Sequence, residues 1–236
     1  MISVVMPAHN EAELLRASVT EVVAGLRTRA EPFEVLVVEN GSTDTTLELA
    51  RTLAAEHDEV RAITRPDADY GAALRQGLLV ATGDVVITFD VDYYDLEFLA
   101  KAVGTVGPAP APAIVVGSKR GPGADDRRSW GRRLVTWVFA MLLRLVFGLR
   151  VSDTHGMKGM ERTRASALAR ECRFDRDLFD TELVIRAERA GLGVTEIPVT
   201  VSERRPSRTS ILRRVPRSLW GLARLRIGLR REPAPT

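Results

Sequence analysis

The sequence has one cysteine, Cys172, and only three lysines, Lys101, Lys119 and Lys158, among 236 residues. A single cysteine excludes an intramolecular disulfide and any zinc site built on cysteine pairs, and it fits a reducing compartment. The opening "MISVVMPAHN" lacks the basic start and long apolar stretch of a secretory leader. No G-x-G-x-x-G follows the first apolar run, which disfavours a dinucleotide-dependent dehydrogenase. Long hydrophobic runs are missing too. The most apolar segment, "WGRRLVTWVFAMLLRLVFGL" (130–149), is interrupted by Arg132, Arg133 and Arg144. An interfacial or core helix is therefore expected there rather than a membrane span. Acidic residues are absent between Arg204 and Arg231, a stretch that holds ten arginines. Such a block seeks phosphate on lipid or nucleic acid. Trp220 is its sole aromatic residue, so it lacks the stacking platforms of a single-strand binder, and no nucleic-acid partner is expected.

Apolar residues make up 45% of the chain and charged residues 28%, the balance of a globular protein with one sizeable core. Up to Gly104 short apolar strands alternate with helical patterns. Strands are expected at 2–6, 33–39, 60–64 and 84–89, and helices at 11–29, after "NGSTD" and at 71–82, with Ser42 or Thr43 as a helix N-cap. This alternation predicts an α/β fold with a mostly parallel sheet covered on both faces. Ligands of such sheets bind beyond the carboxyl ends of the strands. "PAHNE", "ENGSTD" and "DVD" each directly follow a predicted strand and would converge on that edge.

The segment "VVITFDVDYYD" (85–95) ends an apolar strand on Asp90 and Asp92. Two carboxylates so close repel, and each raises the other's pKa unless a cation joins them. A hard divalent ion such as Mg²⁺ or Mn²⁺, shared with substrate phosphates, meets that need. The plain alternative is a solvated acidic turn.

Together the motifs resemble the family 2 glycosyltransferases of GT-A fold, and among them the polyprenyl-phosphate (dolichyl-phosphate mannose or glucose synthase) group. "VVMPAHNEAELL" is similar to that family's first strand and loop, and "VLVVENGSTDTT" to its second-strand signature. "GAALRQGLLVATGDVVITFDVD" resembles its glycine-bearing helix and D-x-D strand. "GLRVSDTHGMKGMER" and "EIPVTVSERRPSRTSI" resemble its acceptor-side segments.

The resemblance implies a GT-A domain over 1–211, with a donor half to about 104 and an acceptor half beyond, followed by an Arg-rich amphipathic segment, 212–236. It implies a GDP- or UDP-linked sugar donor contacted by Pro7, Ala8, Asn10, Glu11, Glu39, Asn40, Ser42, Gly71 and Val91. Asp90 and Asp92 would hold Mg²⁺ or Mn²⁺, with Asp95 or a water completing the shell because Tyr94 stands where a polar ligand is usual. Arg75 and Arg204 would contact the pyrophosphate. Lys119 or Arg120, Arg132, Thr136, Asp153 and His155 would face the acceptor.

A lipid phosphate attacks unaided, whereas a hydroxyl needs a base, for which Asp153, His155, Asp180 and Glu182 are available. The leading expectation is an inverting transferase acting on a polyprenyl phosphate, held peripherally at the cytoplasmic face of an anionic membrane. The alternatives are a soluble hydroxyl acceptor or a non-catalytic nucleotide-binding subunit.

Overall fold

The computed structural model describes residues 1–119, 125–126, 130–201 and 211–231, without the side chains of 125, 126, 132, 177, 201, 211–218 and 231. Four strands, β1 (Ile2–Ala8), β2 (Phe33–Asn40), β3 (Val60–Arg65) and β4 (Val85–Thr88), alternate with helices α1 (Leu15–Arg27), α2 (Thr46–Glu56) and α3 (Tyr70–Val80). There follow α4 (Leu96–Val103), β5 (Ile114–Ser118), β6 (Asp125–Asp126), α5 (Trp130–Phe147), β7 (Lys158–Glu161), α6 (Arg162–Glu171) and a 3₁₀ turn (Arg176–Leu178). The chain continues with α7 (Phe179–Arg189), β8 (Val194–Pro198), β9 (Thr200–Val201) and α8 (Ile211–Arg231). The sequence reading leaves α4, α6 and α7 unassigned.

Seven strands form one sheet in the order β3-β2-β1-β4-β7-β5-β8, and β6 pairs separately with β9. All neighbours in the large sheet are parallel except those of β7, which runs against both β4 and β5. Successive strand residues point to opposite faces, so each strand feeds two cores. Val4, Met6, Val35, Val37 and Ile87 pack under α1, α2 and α4, whereas Val5, Leu36, Val38 and Val86 pack under α3, α6 and α7. The antiparallel insertion of β7 has a consequence for the crevice. Its first residue, Lys158, lies opposite Thr88 at the end of β4, so a lysine arrives where the acidic pair begins.

Two local expectations change. Asn10 is left-handed at φ 56°, and the Glu11 N–H turns to Thr46 Oγ1 at 2.8 Å, so α1 begins at Leu15 rather than Glu11. Ser42 and Thr43 do not cap α2. Ser42 Oγ accepts from the Asn10 N–H, and the Thr43 N–H donates to Asn10 Oδ1. The last helix, α8, runs as one element from Ile211 to Arg231. Leu222, Leu225 and Leu229 of α8 are buried in the core beside Leu178 and Leu183, while Leu219, Trp220 and Ile227 remain exposed.

Candidate active site at the carboxyl edge of the sheet

Past β4 the chain folds into a tight turn instead of continuing extended. The Asp90 and Tyr93 backbones exchange hydrogen bonds of 3.1 and 3.2 Å. Val91 is driven into the core at 2% exposure, and its carbonyl accepts from Ser18 Oγ at 2.6 Å. The turn thus pins the residue between the two acids, and Asp90 and Asp92 stay partly exposed on either side. Asp95, proposed to complete a ligand shell, is engaged elsewhere, and so is its neighbour Tyr94. Asp95 Oδ1 caps α4 through the Glu97 and Phe98 N–H groups, and the Tyr94 hydroxyl donates to Glu21.

Tyr70, the first residue of α3, donates from its hydroxyl to Asp90 Oδ1 at 2.7 Å. Burial pushes the Asp90 carboxyl above its ordinary pKa. The Tyr70 hydrogen bond opposes that shift, the Asp92 and Asp180 charges reinforce it, and Lys119 opposes it. Burial and the same carboxylates push the Tyr70 hydroxyl well up. A third acid, Asp180 at the start of α7, therefore belongs to this cluster. Lys158 Nζ lies 2.8 Å from Asp180 Oδ1 and donates to the Gly156 carbonyl at 3.0 Å. Lys119 sits over the Tyr93 ring, 5.2 Å from its centroid. Gly156, at φ 99°, lies so close that a Cβ there would be 3.5 Å from Lys119 Nζ.

The loops after β1 and β2 form the other wall. Pro7 and Ala8 are the last two residues of β1, both buried. Asn40 is 2% exposed, and its amide donates to the Ala8 and Val38 carbonyls. Glu39, also buried, accepts from the Ser42 N–H at 2.6 Å and from Thr64 Oγ1 at 2.7 Å. His9 Nδ1 is 2.7 Å from the Asn40 carbonyl. These bonds join the two loops into one rigid surface before any ligand arrives.

Asp153 and His155 lie on the loop before β7. Glu196 of β8 holds that loop by accepting from the Ser152 and Asp153 N–H groups. Asp153 Oδ1 accepts from the His155 N–H, whereas Oδ2 is buried with no hydrogen-bond partner among the described residues. The His155 ring packs against Phe139 of α5, centroids 5.6 Å apart. Thr136 is half-buried on the same helix. Arg120, the Arg132 side chain, Arg204, Arg205, Arg208 and Ser210 lie outside what the structure describes.

Two expected residues are drawn into other work. Arg75 Nη2 donates to the Cys172 and Phe174 carbonyls at 2.7 and 3.3 Å and pairs with Asp175 at 3.0 Å. Its guanidinium clasps the loop before α7. Glu182 Oε2 takes the Arg173 and Phe174 N–H groups, and its Oε1 accepts from Arg186, so this acid is structural. Gly71 is needed for close approach, since a Cβ there would sit 2.5 Å from the Arg176 nitrogen. Tyr70 and Lys158 were missed as site residues. The rarity of lysine was the available signal: two of the three lysines, Lys119 and Lys158, stand at this edge.

The model of "Glycosyl transferase family 2" matches residues 3–167, more than half of the chain and all four of the parallel strands β1–β4. The chain belongs to this family. It is 32% identical over 217 residues to glycosyltransferase AglD of Haloferax volcanii, covering 90% of this chain and 35% of that protein. It is 31% identical over 212 residues to dolichyl-phosphate beta-glucosyltransferase ALG5C of Trichomonas vaginalis, covering 84% of this chain and 63% of that one. The chain thus spans about a third of the first relative and under two thirds of the second. Its fold is similar to that of glucosyl-3-phosphoglycerate synthase from Mycobacterium tuberculosis, solved with Mn²⁺, uridine diphosphate and phosphoglyceric acid. That match has TM-score 0.65 and 22% identity, and covers 92% of this chain and 73% of that one. The architecture is that of the GT-A fold.

Proposed function

We propose that this family 2 chain transfers a glycosyl group from a nucleoside-diphosphate sugar to an acceptor nucleophile. The observation that carries the reading is the Asp90–Asp92 turn at the carboxyl edge of β4, between the joined β1/β2 loops and the lysines Lys119 and Lys158. Among the described residues no three His, Cys, Asp or Glu side chains are arranged to hold a metal by themselves. Two carboxylates with donor phosphates as further ligands match what Mg²⁺ or Mn²⁺ accepts. The upward push on Asp90 from Asp92 and Asp180 is the repulsion that such a cation relieves. When bound, the ion would neutralise charge developing on the departing nucleoside diphosphate. The β1/β2 wall orients the nucleoside, and Lys119 faces the incoming anionic groups. The fold relative solved with Mn²⁺ and uridine diphosphate supports a UDP-type donor, with GDP as the other choice.

For the acceptor, a water-soluble hydroxyl compound stands first. The fold relative solved with phosphoglyceric acid supports it. A polyprenyl phosphate stands second, supported by the likeness to ALG5C and by exposed Trp130, Leu134, Trp137 and Leu145 on α5. No described helix is long and apolar enough to cross a membrane, so that reading needs peripheral binding at the cytoplasmic face of an anionic membrane through α5 and α8.

The test is transfer from a panel of UDP- and GDP-sugars to phosphoglycerate and other hydroxyl acceptors, and to polyprenyl phosphate in detergent. Transfer with Mn²⁺ is expected, abolished by EDTA and reduced at least a hundredfold in Asp92→Ala. Full activity in EDTA would refute the metal role. Transfer to polyprenyl phosphate alone, with salt-sensitive binding to anionic vesicles, would put the second acceptor first.

A further inference from the structure

Tyr70 lies between the two halves of the molecule. Its neighbour Asp69 caps α3 by accepting from the Ala72 N–H at 2.9 Å, and the same Oδ1 accepts from the Arg176 N–H at 2.8 Å. Its other neighbour, Gly71, packs flush on the Arg176 backbone. The start of α3 is thereby fixed against the 3₁₀ turn of the second half. From that anchor the Tyr70 ring reaches the β4 turn, and its hydroxyl donates to Asp90 Oδ1 at 2.7 Å. Asp90 Oδ2 receives no hydrogen bond from another described residue.

The terminal torsion of an aspartate is soft and roughly two-fold. A carboxylate beside Asp92 and Asp180 would otherwise turn to reduce repulsion. A phenol on a rigid ring, with its backbone fixed on both sides, removes that freedom. We infer that Tyr70 is a positioning residue for Asp90, holding Oδ1 so that Oδ2 is ready for the metal–diphosphate group of the donor. This inference rests on the function proposed above. It also gives the contact between the halves a role, because docking of the Arg176 turn on Asp69 and Gly71 sets the ring that sets Asp90. Outer partners of this kind typically change metal affinity by about ten- to a hundredfold when removed.

Calorimetric titration of UDP and of GDP, with Mn²⁺ and with EDTA, separates this inference from its parent reading. In the native sequence one nucleotide is expected to bind more tightly with Mn²⁺ than with EDTA. Tyr70→Phe keeps the ring, and should lose about tenfold of the Mn²⁺-dependent affinity with the EDTA affinity and melting temperature unchanged. In an Asp90→Asn background the same change should cost little more, since the hydroxyl acts through the carboxylate. That cycle, compared at equal fractions folded, decides the matter even if Tyr70→Phe melts lower. Unchanged Mn²⁺-dependent affinity in Tyr70→Phe overturns the positioning role and leaves the proposed function standing. Equal losses in Mn²⁺ and EDTA, or additive losses in the double variant, overturn it as well, because they report general loosening. No Mn²⁺-dependent binding of either nucleotide by the native chain overturns both.

Discussion

Lys158 Nζ and Asp180 Oδ1 form an ion pair of 2.8 Å, with the lysine side chain fully buried and the aspartate 6% exposed. The two come from different elements: antiparallel β7 brings Lys158 beside the end of β4, and the start of α7 brings Asp180. Each charge is tolerable there only because of the other. Removing one partner of a buried pair costs about 3–5 kcal/mol, whereas replacing both with apolar groups is often neutral. Lys158→Met should therefore lower unfolding free energy by about that amount in urea denaturation. Lys158→Met with Asp180→Leu should recover most of it. A Lys158→Met variant as stable as the native chain would mean that the pair is solvated and uncoupled.

Arg75 and Glu182 hold the same loop from opposite sides, Arg75 by the carbonyls of Cys172 and Phe174 and Glu182 by the N–H groups of Arg173 and Phe174. Charge-assisted hydrogen bonds contribute about 1.5–3 kcal/mol each. Arg75→Ala is expected to destabilise the chain by about 2 kcal/mol and to free the loop. Cys172 supplies a direct probe. It is buried, and burial pushes its thiol far up from the ordinary value, with Glu182 adding to the effect. Native Cys172 should react very slowly with a disulfide reagent, and Arg75→Ala should react at least tenfold faster. Identical labelling rates would show that the clasp does not hold the loop.

At the opposite end of the sheet, Glu34 is buried and accepts from Ser3 Oγ, the Thr82 N–H and hydroxyl, and Arg61 Nη1. Burial opposes its ionisation, but these hydrogen bonds outweigh burial and hold the carboxyl below its ordinary pKa of 4.5. The folded value is depressed, so the unfolded chain takes up a proton first as pH falls. Stability from Glu34 is thus complete above pH 4.5 and is lost on acidification through the lower folded value. Glu34→Gln should be less stable than the native chain at pH 7, and the difference should shrink toward pH 3. Melting temperatures across that range test it; a constant gap would exclude linkage through Glu34.

Sequence pattern alone specified the first half of the fold. Alternating apolar strands and amphipathic helices up to Gly104 left little choice but a covered parallel sheet, and strand ends at Ala8, Asn40 and Thr88 carried their polar loops to one edge. These are local facts: side-chain period and the chain's direction fix them without reference to distant residues. The cap role of Asp95 was missed, although an aspartate before "LEFL" is an ordinary helix start. Which charges meet was left to the tertiary structure. It reversed β7, which put Lys158 beside Asp180; it tied Arg75 to the Cys172 carbonyl; and it set the Tyr70 hydroxyl on Asp90. Each of those contacts joins residues 20 to 97 positions apart. Periodicity encodes which face a residue presents, but the partner it finds there depends on how separate elements pack, and that is settled by the whole core at once.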